Sequence, residues 1–172
     1  MKKRSILKKI ALAVIVVIVA VYAAANAYLI NYAFVRPSDG DGNDRPSKVL
    51  VKNQKWLSKQ RTYLWEQKAV GTDIKLKAVY LPAETKTNKT IIVAHGYHGS
   101  SYNMASYIRM FHNQGYNVLS PDDRASGKSG GRFITFGWKD RLDYCRWIKQ
   151  VIKKTETIRA SDCSVSAWAV QP

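Results

Sequence analysis

The segment from Ile91 to Ser100 constrains the fold more than any other part of this sequence. Its first four residues, IIVA, are apolar and mostly β-branched, and the run is too short for a helix, so it predicts a buried strand. A strand that is apolar on both faces is typical of a parallel sheet covered by helices. The next five residues, HGYHG, follow its carboxyl end, which is where such sheets bind ligands. The two glycines allow backbone N–H groups to approach an oxyanion, so this loop is the candidate site.

The surrounding pattern predicts the beginning of a doubly wound α/β sheet. An antiparallel hairpin is followed by strand, helix, strand and helix. The predicted strands are Leu64–Val70, Ile74–Leu81, Thr90–Ala94 and Tyr116–Ser120. The predicted helices are Val49–Lys59, Tyr102–Gln114, with Ser100 or Ser101 as its cap and Gly115 at its end, and Asp140–Lys154. In the last helix we expect an apolar stripe made of Leu142, Cys145, Ile148 and Ile152, and Pro121–Phe136 is a long glycine-rich loop.

The N-terminus predicts a single membrane anchor. Five basic residues precede an apolar run from Ile10 to Ile30 that is interrupted only by Asn26, and this run is long enough to cross a bilayer. The basic residues place the N-terminus in the cytoplasm and the remainder outside the plasma membrane. A cleaved signal peptide is the alternative, because the alanines around Asn26 offer a cleavage site. The predicted divisions are therefore residues 1–35 for the basic tip and anchor, 36–47 for a linker, and 48–172 for a partial α/β domain.

The charge and the metal-binding residue types exclude several function classes. The 172 residues carry a formal charge of +16, but the 28 Lys and Arg are scattered and accompany no nucleic-acid-binding motif. Anionic lipid or cell-wall polymer is the expected partner of such a charge outside the cell, and nucleic acid is not. Cys145 and Cys163 form no disulfide scaffold, and Cys145 is expected to pack inside. The three histidines have no zinc-ligand spacing, so we predict neither a metal nor a cofactor.

The loop HGYHG after a buried strand, followed by PDDRASGKSG at 121–130, resembles the α/β-hydrolase family. The similarity covers about Leu64 to Lys154 and includes the runs FGW at 136–138 and DRLDY at 140–144. Within the family, the sequence is similar to membrane-anchored bacterial serine hydrolases related to cinnamoyl-ester and prolyl-oligopeptidase-like enzymes. The resemblance implies acyl transfer on an ester or amide substrate.

The resemblance also implies roles for individual residues. The backbone N–H of Tyr97 would bind the oxyanion, supported by His95, Gly96 and Gly99 of the same loop. His95 is expected to be structural, because the catalytic histidine of the family lies far downstream. Asp122 and Arg124 could form an acid–base pair, but a charge-assisted hydrogen bond that holds the loop is favoured. We expect His98 and His112 to be solvated or to cap helices. The run GKS at 127–129 is not a P-loop, since Asp122 stands where that motif requires glycine.

The sequence contains no nucleophile in the context that the family requires. A serine hydrolase presents Ser on a Gly-x-Ser-x-Gly elbow and then supplies Asp or Glu and His. Ser164 and Ser166 lack those glycines. When the codons of residues 162–172 are read from the third base, synonymous choices permit Leu-Phe-Gly-Val-Ser-Met-Gly-Gly-Ala-Thr, which contains the elbow. We therefore hypothesise a frameshift close to Ser161. The product would leave the strand at Thr90 with an unpaired edge, be prone to aggregation and lack esterase activity.

Two function classes follow from these observations. The first is the N-terminal part of an outward-facing serine hydrolase, with part of the oxyanion hole but no catalytic triad. The second is a non-enzymatic, membrane-tethered basic surface or interaction domain. The residues 163–170, CSVSAWAV, show no turn chemistry and carry a Trp, which favours the first class.

Overall fold

The structure is a computed structural model that describes residues 2–35, 46–156 and 165–168. The chain divides into two compact units, residues 1–35 and residues 36–172. This division falls at the predicted end of the anchor. Each unit is described separately below.

The first unit is one long helix, α1, Lys2–Phe34. Its stretch Ile6–Phe34 is 29 residues long and sufficiently apolar to cross a membrane, although a signal sequence near an N-terminus has the same properties. The predicted run Ile10–Ile30 lies within it. The amide of Asn26 donates a hydrogen bond to the carbonyl of Tyr22 one turn earlier, at 2.8 Å. The residue that interrupts the predicted run is thus hydrogen-bonded within the helix.

The second unit contains a five-stranded sheet in the order β1-β2-β4-β3-β5. The strands are β1 (Tyr63–Lys68), β2 (Lys75–Leu81), β3 (Thr90–Val93), β4 (Asn117–Pro121) and β5 (Val165–Trp168). Strands β1 and β2 form the predicted antiparallel hairpin, and β2 pairs antiparallel with β4. Strand β3 lies between β4 and β5 and is parallel to both.

Helices cover both faces of this sheet, as a doubly wound fold requires. They are α2 (Lys48–Leu57), α3 (Ala105–Asn113) and α4 (Asp140–Glu156). Side chains of β3 alternate between two hydrophobic clusters, since Ile92 packs with Trp147 and Val151 of α4. Its neighbours Ile91 and Val93 pack on the other face, in the cluster that includes Leu57 of α2 and Ile108 of α3. The alternation explains why this strand is buried at every position.

Helix α3 begins later than predicted. We expected it to run from Tyr102 with a serine cap, but its N-terminal flanking residue is Met104, which makes no side-chain capping bond. The two serines are used in the preceding turn instead: the hydroxyl of Ser100 bonds Asn103, and the N–H of Ser101 donates to Asp122. The predicted end is confirmed, because Gly115 adopts a φ of 83° directly after Gln114, the C-cap residue of the helix.

The buried face of helix α4 matches the predicted stripe only in part: Ile148 packs against the cluster that contains Trp147. Leu142 and Cys145 are exposed, whereas Asp140, Asp143, Trp147 and Val151 are buried. The prediction that Cys145 packs inside is therefore wrong. The predicted stripe included only aliphatic and thiol side chains. It therefore omitted Trp147, the largest fully buried side chain among the described residues. It also omitted the two aspartates that bond the loop before the helix. Those polar bonds fix the rotation of the helix about its axis.

The edge of β3 is paired, contrary to the expectation that it would lack a neighbour. Residues Thr90 to Val93 lie in parallel register with Val165 to Trp168. A parallel partner needs a crossover connection, and α4 stands between the two strands in the chain. The short run VSAW contains a β-branched and an aromatic residue, which suit a strand. The sequence did not indicate this strand because no turn residues mark its ends.

Candidate active site

The candidate oxyanion loop is a tight turn at the carboxyl end of β3. The N–H of Gly99 donates to the carbonyl of Gly96 at 3.0 Å and closes the turn. His98, inside the turn, has a φ of 56°, a left-handed conformation that is uncommon for residues other than glycine. A side chain at position 99 would place its Cβ only 3.0 Å from the Gly96 carbonyl. The turn thus requires the second glycine for close approach.

His95 ties this turn to the neighbouring strand end. The N–H of Asp123, just past β4, donates to its Nε2 at 3.0 Å, so that nitrogen carries no proton. The proton is therefore on Nδ1, which donates to the Gly96 carbonyl at 2.7 Å. With its side chain almost fully buried, His95 bridges the two loops. The geometry agrees with a structural histidine.

Asp122 organises the glycine-rich loop that follows β4. Its buried carboxylate accepts hydrogen bonds from the N–H of Ser101 at 2.6 Å and of Lys128 at 2.8 Å. Gly127 has a φ of 46°, and a Cβ there would lie 2.4 Å from the same carboxylate. The loop therefore wraps around a carboxylate of its own chain. This arrangement leaves no cradle for a phosphate around Gly127.

Arg124 pairs with Asp143 of α4, a partner that the sequence did not reveal. Its Nε lies 2.7 Å from one oxygen of Asp143, and its Nη2 lies 3.1 Å from the other. Nη2 also donates to the carbonyl of Val70 in the β1–β2 turn, at 2.9 Å. The hydrogen bond to Asp143 raises the pKa of the guanidinium. The predicted hydrogen bond between Asp122 and Arg124 is wrong. The carboxylate of Asp122 accepts from backbone N–H groups instead, and Arg124 pairs with Asp143.

Asp123 and Tyr144 are two largely buried ionisable residues near His95. Burial raises the pKa of Asp123 to about 6; positive charge on His95 would lower it, and Asp140 and Asp122 raise it further. Burial likewise raises the pKa of the Tyr144 hydroxyl, and the charge of Asp123 adds to that. Within the part of the chain that the structure describes, this hydroxyl makes no hydrogen bond of ordinary geometry. It couples to Asp123 electrostatically.

Three rings stack beside the candidate oxyanion loop. The ring of Tyr97 lies 3.8 Å from that of His98 and 5.1 Å from that of Phe136, with interplanar angles of 24° and 19°. Phe136 has a φ of 48°, so both neighbours of the Tyr97 ring hold the left-handed backbone conformation. Such conformations cluster where a structure positions groups for binding. His98 is exposed, as predicted, and its ring contact had no sequence signal.

His112 differs from its expected place. It is buried, its Nε2 lies 3.1 Å from the carbonyl of Pro82, and its ring meets the edge of Trp56. The prediction that His112 is solvated or caps a helix is wrong, because the last turn of α3 packs against α2 and the segment after β2. Among the residues that the structure describes, no three His, Cys, Asp or Glu side chains are grouped in a way that could hold a metal ion.

The structure resembles solved α/β hydrolases. An esterase from Pyrococcus furiosus, Pf2001, is 29% identical and superimposes with a TM-score of 0.55, covering 77% of this chain and 48% of the esterase. A soluble variant of monoglyceride lipase from Saccharomyces cerevisiae gives a TM-score of 0.51 at 13% identity, over 63% of this chain and 34% of the lipase, and this likeness concerns the fold alone. The chain has an α/β-hydrolase fold.

Sequence comparison adds one curated relative. The uncharacterized protein YqkD of Bacillus subtilis is 34% identical over 87 residues, which is 51% of this chain and 28% of YqkD. No protein-family model matches the sequence. This chain therefore spans about half the length of the Pyrococcus esterase and less than a third of YqkD.

Proposed function

We propose that the protein is the N-terminal part of a serine hydrolase that cleaves ester or amide bonds by acyl transfer. The observation that carries the proposal is the position of the Gly96–Gly99 turn at the carboxyl end of β3, the central strand of the parallel part of the sheet. In open α/β sheets, substrates bind at this end of the strands. The fold similarity to an esterase at 29% identity supports the same class.

In this proposal the backbone N–H of Tyr97 stabilises the oxyanion of the tetrahedral intermediate. One such donor contributes about 3 kcal/mol of transition-state stabilisation when its position is fixed before reaction. The two bonds of His95 and the closing bond of Gly99 fix the turn on both sides. His95 is therefore a positioning residue in this proposal and does not act as the base.

The nucleophile and base are assigned to sequence outside this chain. The elbow of the family follows the strand next to β3, and β5 lies at that place. Residues 161–164, which include Ser164, lie outside the described residues, and Ser166 lacks flanking glycines. We propose that a frameshift near Ser161 separates this chain from the elbow. The chain alone is then expected to be inactive.

An ester-hydrolysis assay tests this proposal. The purified chain in detergent should not turn over a nitrophenyl ester above the buffer rate. In a frame-restored protein, Tyr97→Pro removes the N–H and should lower kcat by roughly 100-fold to 1000-fold, whereas Tyr97→Phe keeps the N–H and the ring and should retain activity. Turnover by the chain itself that disappears in Ser164→Ala or Ser166→Ala would overturn the assignment.

For the first unit we propose a single-pass anchor with its N-terminus in the cytoplasm and the second unit outside the plasma membrane. The support is the basic cluster before Ile10 together with the length of the apolar stretch Ile6–Phe34. Protease treatment of intact cells should remove the second unit and leave an N-terminal tag protected. Protection of the second unit would contradict this orientation.

A non-enzymatic, membrane-tethered interaction domain is the second candidate. It is favoured by the exposed aromatic and basic residues between positions 132 and 141, which ester chemistry does not require. A gene that offers no elbow in any frame would favour this candidate.

A further inference from the structure

The segment from residue 132 to residue 141 exposes aromatic and basic side chains together. Phe133, Phe136 and Trp138 are 48%, 55% and 71% exposed. Such a concentration of large aromatic rings on a surface indicates an interaction site. We refer to an aromatic–basic surface, which consists of Arg132, Phe133, Phe136, Trp138, Lys139 and Arg141.

Every exposed ionisable side chain of this segment is a cation. Arg132, Lys139 and Arg141 are exposed, whereas Asp140, the one acidic residue between them, is buried. Its carboxylate accepts from the hydroxyl of Thr135 and from the N–H groups of Gly137 and Arg124. The negative charge is therefore used inside the protein, and the outer charge of the segment is wholly positive.

The cations lie on the aromatic rings. The guanidinium of Arg132 is 5.2 Å from the centre of the Phe133 ring, and that of Arg141 is 3.8 Å from the Trp138 ring. Arg141 also donates to the carbonyl of Trp138. Aromatic rings with adjacent cations suit the boundary of a bilayer, where the rings enter the headgroup region and the cations meet lipid phosphates.

The segment is held in place by its own bonds. The N–H of Trp138 donates to the carbonyl of Thr135 at 3.0 Å, Ile134 is buried, and Asp140 bonds both ends of this turn. Phe136 keeps its left-handed backbone and stacks on Tyr97. The rings are thus presented outward by a fixed turn, so docking requires little further ordering.

We infer that the aromatic–basic surface docks on an anionic phospholipid membrane, with Trp138 in the headgroup region and Arg132, Lys139 and Arg141 on the lipid phosphates. Charge complementarity favours this occupant, and the rings require an acyl boundary that a soluble polyanion does not offer. The inference does not depend on hydrolase activity, because none of its six residues is assigned to the chemistry.

Fluorescence quenching of Trp138 in the full chain tests this inference. The protein is reconstituted into vesicles whose acyl chains carry bromine, made of phosphatidylcholine alone or mixed with phosphatidylglycerol. The contribution of Trp138 is obtained as the difference between the wild-type emission and that of Trp138→Phe. We expect quenching of this component in the anionic vesicles and its loss in phosphatidylcholine vesicles or at high salt.

Charge variants complete the test. Arg132→Gln and Lys139→Gln should each lower the ratio of docked to undocked protein roughly fivefold. The pair Lys52→Gln and Lys59→Gln removes two exposed charges near α2 and should leave the quenching unchanged.

Equal quenching in both lipids, or none in either, overturns the inference. Protection of Trp138 from acrylamide without quenching by lipid would instead assign the surface to a second copy of the chain, and displacement by soluble polyphosphate without lipid quenching would assign it to a cell-wall polyanion.

Discussion

The buried Arg124–Asp143 ion pair connects three parts of the chain that are far apart in sequence. It joins the loop after β4 to α4 and, through the carbonyl of Val70, to the turn of the β1–β2 hairpin. The sequence indicates that Arg124 needs a carboxylate, but it offers Asp122, Asp123, Asp140 and Asp143 within twenty residues. The choice depends on the rotation of α4, which no local pattern encodes.

Arg124→Met should lower the free energy of unfolding by about 3–5 kcal/mol, because it leaves the Asp143 carboxylate buried without its partner. Denaturant titration in detergent measures the change. The matched control is Lys68→Met, which breaks an exposed pair with Asp73 and should change stability by about 1 kcal/mol or less. The double variant Arg124→Met/Asp143→Leu should recover part of the lost unfolding free energy. If its loss equals the sum of the losses in the two single variants, the two residues are not coupled.

The raised pKa of Asp123 predicts that the stability of the folded protein depends on pH. Burial raises its pKa in the folded protein to about 6, above its ordinary value of 3.8. The unfolded chain therefore releases this proton first as pH rises, and the folded protein loses stability between about pH 4 and pH 6. Asp123→Asn removes the titration and keeps the backbone N–H that donates to His95.

The stability of Asp123→Asn relative to the wild type should rise by roughly 2.4 kcal/mol between pH 4 and pH 7, since each pKa unit corresponds to about 1.4 kcal/mol and the unfolded carboxyl is already partly ionised at pH 4. Urea midpoints at five pH values would measure this difference. A difference that stays constant with pH would show that Asp123 ionises normally in the folded protein.

At the scale of elements, α4 shows how polar anchors set the orientation of a helix. The centres of its predicted apolar stripe and of its observed buried face lie roughly 150° apart around the axis, at about 100° per residue. The observed face combines Trp147 and Val151 with the aspartates that bind Arg124 and the loop. A search for apolar periodicity alone cannot count buried aspartates as inward positions, since their burial depends on partners elsewhere in the chain.

Two substitutions on α4 distinguish these faces. Trp147→Ala should destabilise the protein by about 3–5 kcal/mol, because it empties the largest buried site in the cluster around Ile92 and Leu119. Cys145→Ala, on the predicted face, should change stability by about 0.5 kcal/mol or less. Thermal unfolding of both variants measures the contrast. Similar losses of stability in the two variants would contradict the observed face and support the predicted one.

The loop around Asp122 gives a second prediction at this scale. Gly127→Ala places a Cβ 2.4 Å from the Asp122 carboxylate, in a backbone conformation with positive φ. Gly71→Ala imposes a similar φ in open space. The Gly71 variant should lose about 1 kcal/mol. The Gly127 variant should lose about 2 kcal/mol more, since the displaced carboxylate leaves the N–H of Ser101 or Lys128 unpaired. Equal losses in denaturant titration would show that the carboxylate moves aside freely.

For the whole molecule, the sequence predicts most of the described fold. The hairpin, the strands at Thr90 and Asn117 and the helix α4 follow from local periodicity. Strand β3 is recognisable because Ile91, Ile92 and Val93 are consecutive apolar residues. The pairing of β3 with Val165–Trp168 does not follow, because strand pairing over seventy residues depends on the available sheet edge and not on local pattern. The loop after β3 is found from its glycines, whereas the links from His95 to Asp123 and from Tyr97 to Phe136 depend on tertiary contacts.

The proposal that this chain is the N-terminal part of a serine hydrolase is tested most directly by the nucleotide sequence of its gene. The relevant region runs from the codon of Arg159 through about 400 bases beyond the stop codon, enough to encode an elbow and the later Asp and His. We predict that another frame continues with Gly-x-Ser-x-Gly close to the codons of Ser166 and Ala167. The same frame should then encode the later Asp and His of a catalytic triad. The absence of any frame that encodes this series would contradict the hydrolase assignment.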